Sequence, residues 1–235
     1  MVSNEERIRV IHRRYSALLA SASLLLTVAG CGLLPVDEPA NTPPIEDSAS
    51  DDAQPGSANG LRIARSEDEA SGQREVLLEG GHATVIPENL GYYMDILTVR
   101  LRQDLAHSNV AVHRDQTRVT LTFPGAASFD TNSAELHPAM RAALDTIARV
   151  LEEYHASLIT IAGHTDNSGS RDYNLQLSEQ RAVAVGRHLR NTGIATERMV
   201  AIGFGPDRPV AANHTPEGQA RNRRVELMIE PLVAT

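Results

Sequence analysis

The chain has no lysine: all 22 of its basic residues are arginine, set against 30 acids. Covalent attachment through a lysine ε-amine is thereby excluded. Tryptophan is absent as well, leaving three Phe and five Tyr, and the formal net charge is −8. A nucleic-acid binder needs a basic surface and aromatic platforms for stacking, and this composition supplies neither. There is one cysteine, Cys31. A disulfide framework is impossible, and a leftover thiol calls for a reason.

The amino terminus offers that reason. Residues 1–14 carry Arg7, Arg9, Arg13 and Arg14 against Glu5 and Glu6, and SALLASASLLLTVAG then runs to Cys31. A basic segment, an apolar segment and a small-residue cleavage site make up a secretory signal. Val28-Ala29-Gly30-Cys31 resembles a bacterial lipobox, which implies a signal peptide over residues 1–30 and lipidation of Cys31. The other reading is an uncleaved spanning anchor, since the run extended to Val36 is about long enough to cross a bilayer. It would have to pass Gly30, Gly32 and Pro35, which a helix tolerates poorly. Arg13-Arg14 partly matches the twin-arginine export signal, and the export route stays open. Gly32, where an aspartate would retain the protein at the inner membrane, resembles outer-membrane lipoproteins of enteric bacteria.

Residues 32–73 are rich in Pro, Asp, Glu, Ser and Ala. Residues 31–80 hold 11 acids and 3 arginines, whereas 15 arginines nearly balance 17 acids from residue 81 onward. A segment with so few large apolar side chains cannot offset its ordering entropy. Residues 31–84 are therefore expected to be a lipid-anchored, acidic, disordered tether spanning roughly 40 Å.

Order is expected from Val85. Leu90, Tyr93, Met94, Leu97, Leu101 and Leu105 recur at gaps of three and four, predicting an amphipathic helix within 85–108. NVAVHRDQTRVTLTF alternates on both sides of Asp115-Gln116, a hairpin pattern whose second strand turns Val119, Leu121 and Phe123 to one face. Pro138 opens a helix with Met140, Leu144, Ile147, Leu151 and Tyr154 on its core stripe. Leu158–Ala162 reads as a strand, Asn174–Asn191 as a helix closed by Gly193, and Arg198–Phe204 as a strand. Thr215-Pro216-Glu217 starts a short helix. Arg223–Ile229 is a last strand with Val225, Leu227 and Ile229 inward. The whole is an α/β two-layer sandwich over 109–235, in the order βαβαβ(α)β, preceded by the amphipathic helix and the hairpin.

One stretch carries chemistry: GHTDNSGSRDYNLQLSEQR, residues 163–181. Asp166 follows a strand at the carboxyl edge of the sheet, where α/β proteins build sites. Asn174, Ser178 and Arg181 share one stripe of the next helix, beside a core stripe of Leu175, Ala182, Val185 and Leu189. On periodicity alone such a polar stripe is either solvated surface, the commoner case, or one wall of a pocket.

From about Thr122 onward the chain resembles the OmpA-like (OmpA/MotB carboxyl-terminal) domain. The carriers are FDTNSAELHP (129–138), GHTDNSGSRDYNLQLSEQRA (163–182), GFG (203–205) and ARNRRVEL (220–227). The resemblance implies non-covalent binding of peptidoglycan through diaminopimelate of the stem peptide. Its free end bears an ammonium and a carboxylate on one carbon. By the same resemblance Asp166 takes the ammonium, and Arg181 forks onto the carboxylate as lysine could not. Asn132, Ser168 and Asn174 supply hydrogen bonds, and one of the arginines in Asn222-Arg223-Arg224, taken as Arg224, lines the rim. Serine stands at 168 where the family often has threonine, and the hydroxyl is kept.

Other residues have plainer readings. With no histidine or cysteine at ligand spacing, His164 is expected to be a hydrogen-bonded strand-end residue and not a metal ligand. Asp130 is either a ligand contact or a turn former before Thr131. Arg223 or Arg224 can equally be a cross-strand ion-pair member, and Arg171 and Asp172 read as loop solvation. Neither paired carboxylates across a cleft nor an activated nucleophile is evident, so no enzyme, cofactor or metal is expected. The alternative is an inner-membrane, single-span anchor subunit of a motor-stator or secretion machine using the same wall-binding domain.

Overall fold

The computed structural model describes residues 57–58 and 60–234. The expected signal peptide, the lipidation site Cys31 and the tether up to residue 56 lie outside the described residues.

Strand β5 (Ser157–His164) organises the sheet, and all eight of its residues are buried. A strand covered on both faces reads as a continuous apolar run rather than an alternating one. It pairs in parallel with β6 (Met199–Gly205) and antiparallel with β7 (Arg224–Pro231). Beyond β7 comes the hairpin of β4 (Val119–Pro124) and β3 (Ala111–Arg114), and beyond β6 come β2 (Leu61–Ala64) and β1 (Ser57–Ala58). The order across the seven-stranded sheet is β1-β2-β6-β5-β7-β4-β3. Asp115 closes the hairpin, its carboxylate accepting from the backbone N–H groups of Thr117 and Arg118 at 2.7 and 3.0 Å.

The main core lies on one face of the sheet. Val119, Leu121, Phe123, Ile159, Ile161, Val225, Leu227 and Ile229 meet the helices α2 (Leu90–Asp104), α4 (Pro138–Glu153) and α5 (Arg171–Asn191). The periodicities predicted these elements, and Gly193 takes the expected left-handed conformation at φ +106°. The last three strands shift by one or two residues at their ends, and two helices move further. The amphipathic helix occupies 90–104 of the expected 85–108, after a 3-10 turn at Pro87–Asn89. Helix α5 starts three residues early, because the Ser170 hydroxyl caps it by accepting from Tyr173 N–H at 3.3 Å. Two short helices, α3 (Gly125–Ser128) and α6 (Pro216–Asn222), complete the domain.

The expected tether over 31–84 needs correcting in its carboxyl part. Residues 61–64 form β2, and Glu67–Glu79 forms a further helix, α1. Ala64, Ala70 and Leu77 pack with Leu158, Ala162, Val200, Ile202 and Leu232 on the second face of the sheet. Composition misled here because the acids Glu67, Asp68 and Glu69 are the first turn of a helix, where negative charge meets the positive end of the macrodipole. The Ser66 hydroxyl accepts from Glu69 N–H at 3.1 Å, and the Glu69 carboxylate accepts from Arg65 N–H at 2.9 Å. Ser66-x-x-Glu69 is a capping-box start pattern, set in a segment whose overall acidity reads as tether. Gln73 then ties strand, helix and sheet together, accepting from Arg62 at 2.7 Å and donating to the Glu197 carbonyl at 2.8 Å.

Candidate ligand-binding site

Two glycines let α5 sit down on the sheet. A Cβ on Gly163 would come within 2.0 Å of the Ser178 carbonyl oxygen, and one on Gly203 within 2.6 Å of Glu179 N. At the contact, the Ser178 hydroxyl accepts from Gly205 N–H at 2.9 Å and donates to the Leu175 carbonyl at 2.8 Å. The middle of the polar stripe is thus a helix-to-sheet clasp, fully buried and not part of a pocket wall. Its two ends behave differently.

Asn174 and Arg181 line a cavity of about 290 Å³ together with Asp166, Ser168, Asn132 and Arg223. The stripe is therefore not solvated surface: Asn174 is 4% and Arg181 6% exposed. Five of the six predicted site residues come together here. Asp166, in the loop after β5, is 6% exposed. Its carboxylate accepts from Ser168 N–H at 2.8 Å and from an Arg223 Nη at 2.5 Å. Burial alone would raise this carboxyl. The hydrogen bonds from Arg223 and Ser168 outweigh it and hold the group below the usual carboxylate range. Asn174 fixes the same loop by donating to the Ser168 carbonyl at 2.7 Å.

Arg181 has a different environment. Its Nε donates to the Ser133 carbonyl at 2.8 Å, one Nη to the Asp130 carbonyl at 3.3 Å, and the guanidinium lies 4.9 Å from the centre of the Phe129 ring. No ion pair to Arg181 is present among the described residues. Burial draws its pKa below the ordinary arginine value. The loop that supplies its acceptors is shaped by Asn132, which adopts a left-handed conformation at φ 57° that asparagine tolerates better than most residues. Asp130 forms a turn, its carbonyl accepting from Ser133 N–H, and it also lines the cavity with its carboxylate 3.0 Å from His137 Nε2.

Arg224 is the misplaced residue. It is buried on the far face of the sheet, bonded to Glu226 at 2.6 Å and to the Arg208 carbonyl at 3.3 Å. Arg223 takes the place assigned to it. Side chains alternate along a strand, and Val225, Leu227 and Ile229 point to the helix side, so the odd-numbered Arg223 shares their face. That parity was available in the sequence. Phe129 and Tyr173, which also line the cavity, had no such signal.

His164 departs from expectation as well. It is 2% exposed, stacked 5.3 Å from Phe204, and neither ring nitrogen has a hydrogen bond. Burial, with Arg224 and Arg208 nearby, pulls its pKa down to about 3, so it is neutral at ordinary pH. Arg171, expected to be loop solvation, is bonded through two nitrogens to Asp207 at 3.1 and 2.6 Å.

A buried guanidinium held only by carbonyls and a ring, across a cavity from a buried carboxylate, can accept a molecule bearing both an anionic and a cationic group. Residues 128–223 match the OmpA family. The chain is 40% identical over 143 residues to the Escherichia coli protein named Probable lipoprotein YiaD, covering 61% of this chain and 65% of that one. It is 38% identical over 114 residues to Peptidoglycan-binding protein ArfA of Mycobacterium tuberculosis, covering 48% of this chain and 35% of that one. It therefore spans less than two thirds of each of these relatives. The solved cell wall anchor of the T6SS from Pseudomonas aeruginosa superposes with a TM-score of 0.52 at 34% identity, covering 57% of this chain and 96% of that one.

Proposed function

The chain belongs to the OmpA family through residues 128–223, and from that membership we propose that it binds peptidoglycan non-covalently through the diaminopimelate of the stem peptide. The observation that carries the reading is Arg181, a guanidinium 6% exposed, without a carboxylate partner, at the wall of an open cavity. A buried cation is costly unless something compensates it. A ligand carboxylate is that compensation, and the planar fork of arginine suits a bidentate grip. The ligand ammonium is taken by Asp166, which the bonds from Arg223 and Ser168 keep ionised. Asn132 and Ser168 supply hydrogen bonds at the mouth, and Asn174 positions the loop. The name of ArfA supports the ligand class.

The site is a grip rather than a catalyst. The carboxylate beside the Ser168 hydroxyl, Asp166, is engaged by Arg223 and held below the usual carboxylate range, which makes it a poor general base, and the other acid of the cavity, Asp130, is engaged by His137. Each charge-assisted pair contributes roughly 1.5–3 kcal/mol, against at least ~4 kcal/mol lost on immobilising the ligand. One site then binds in the ~µM to mM range. A wall presenting the ligand many times converts that into durable attachment.

The same proposal places the protein at the periplasmic face of the outer membrane, lipidated at Cys31, tethering membrane to wall. The lipobox and the name Probable lipoprotein YiaD support the lipidation, and Gly32 after the cysteine supports the outer-membrane side. The likeness to a secretion-system wall anchor favours a second reading, an inner-membrane span. Intact mass of the membrane-extracted protein separates them: a triacylated chain beginning at Cys31 supports the lipoprotein, and retention of residues 1–30 the span.

Sedimentation with purified sacculi tests the site. Asp166→Ala and Arg181→Ala should each abolish pelleting with an unchanged circular dichroism spectrum. Pelleting of both variants like the parent would refute the assignment.

A further inference from the structure

Helix α2 has a second apolar row that the domain does not use. Its core side is Met94, Leu97 and Leu101, each 0% exposed. On the opposite side Tyr92, Ile96 and Val99 are 72%, 40% and 48% exposed. Gaps of four and three put these three on one line along the helix. Scattered exposed apolar residues need no explanation, whereas a row of them marks a contact surface. Helix propensity gives no reason for the row either, because Ile and Val are weaker helix formers than the charged residues usual at exposed sites.

Charges border the row on one side: Asp95 and, two turns later, Arg102, both exposed. Asp95 pairs with Arg114. Arg102 forms no ion pair among the described residues. We propose that α2 is the contact of a two-fold homodimer, in which two copies of the helix pack antiparallel along Tyr92, Ile96 and Val99. The charge pattern selects both occupant and direction. Packed antiparallel on a second copy, Asp95 lies within reach of Arg102 of the other copy, and the reverse pair forms by symmetry. Packed parallel, the two charged flanks would lie on opposite sides of the seam, and Asp95 and Arg102 could not pair across it. The two-fold axis falls between Ile96 and Val99. One row of three side chains buries far less than the ~800 Å² per partner of a standard interface, so the dimer is weak and concentration-dependent.

Cysteine cross-linking on the full-length chain in detergent tests this independently of wall binding. With about 1.5 Å of rise per residue, positions 96 and 99 each lie about 4.5 Å along the axis from their symmetry mates, and position 92 about 16 Å from its own. Ile96→Cys and Val99→Cys should therefore form dimers with a short bis-maleimide, and Tyr92→Cys should not. The parent, with Cys31 alone, sets the background. Adding Asp95→Arg or Arg102→Asp to Ile96→Cys should lower the dimer yield about tenfold, and adding both should restore it. Monomer throughout would overturn the proposal, as would cross-linking of Tyr92→Cys equal to the others, or a double reversal no better than the single ones.

Discussion

Arg223 sets the charge state of Asp166, and that makes the pair separable by titration. Burial pushes this carboxyl up while Arg223 and Ser168 pull it down further, so Arg223→Met should raise the Asp166 pKa, read by carboxyl-carbon NMR. A carboxyl depressed on folding contributes stability above its unfolded pKa and loses it as pH falls through the folded value. Arg223→Met should therefore lower the urea midpoint at neutral pH and leave it nearly unchanged at pH 2. His164 shifts acid stability in the same direction by another route. Its folded pKa of about 3 lies below the ordinary 6.5, so the unfolded chain binds the proton first and stability falls as pH drops below 6.5. Between there and pH 4 the loss from this group alone is about 3 kcal/mol. His164→Phe should flatten that part of the urea-stability profile, and an unchanged slope would show that the imidazole does not titrate this way. At this scale the sequence was legible where a residue belongs to a motif, as Asp166 and Arg181 do. It was misread at Arg224, where strand parity already pointed to Arg223, and at His164, whose missing hydrogen bonds only packing decides.

Elements hold the site by close approach rather than by many bonds. Gly163 and Gly203 let α5 contact the sheet at Ser178, and α5 carries both Asn174 and Arg181. Gly163→Ala should destabilise the fold by about 3 kcal/mol and weaken wall binding as well, since α5 must lift. The strap of β2 and α1 is a different case. Leu77 is 1% exposed on the second face of the sheet, remote from the cavity linings. Leu77→Ala should cost about 2–4 kcal/mol in chemical unfolding and leave sacculus binding intact. The long periodic elements α2, α4 and α5 were readable because their apolar spacing repeats over several turns. The strap was not, because one turn of acids and small residues looks like tether until Ala64, Ala70 and Leu77 find a sheet face to cover.

For the whole molecule, the proposed grip sets one weak site against a polymer of repeated ligands, which amounts to reversible attachment with strength drawn from ligand density. A lysine-free chain cannot be fixed to the wall through an ε-amine, so free ligand must be able to displace it. The most direct measurement is pelleting of the full-length protein with purified sacculi while free diaminopimelate is titrated in. The account predicts release in proportion to competitor, half-complete in the ~µM to mM range, with no release by a diamine lacking carboxylates or by a dicarboxylate lacking amines. Pelleting that persists through saturating diaminopimelate would show that the cavity between Asp166 and Arg181 is not what holds the wall.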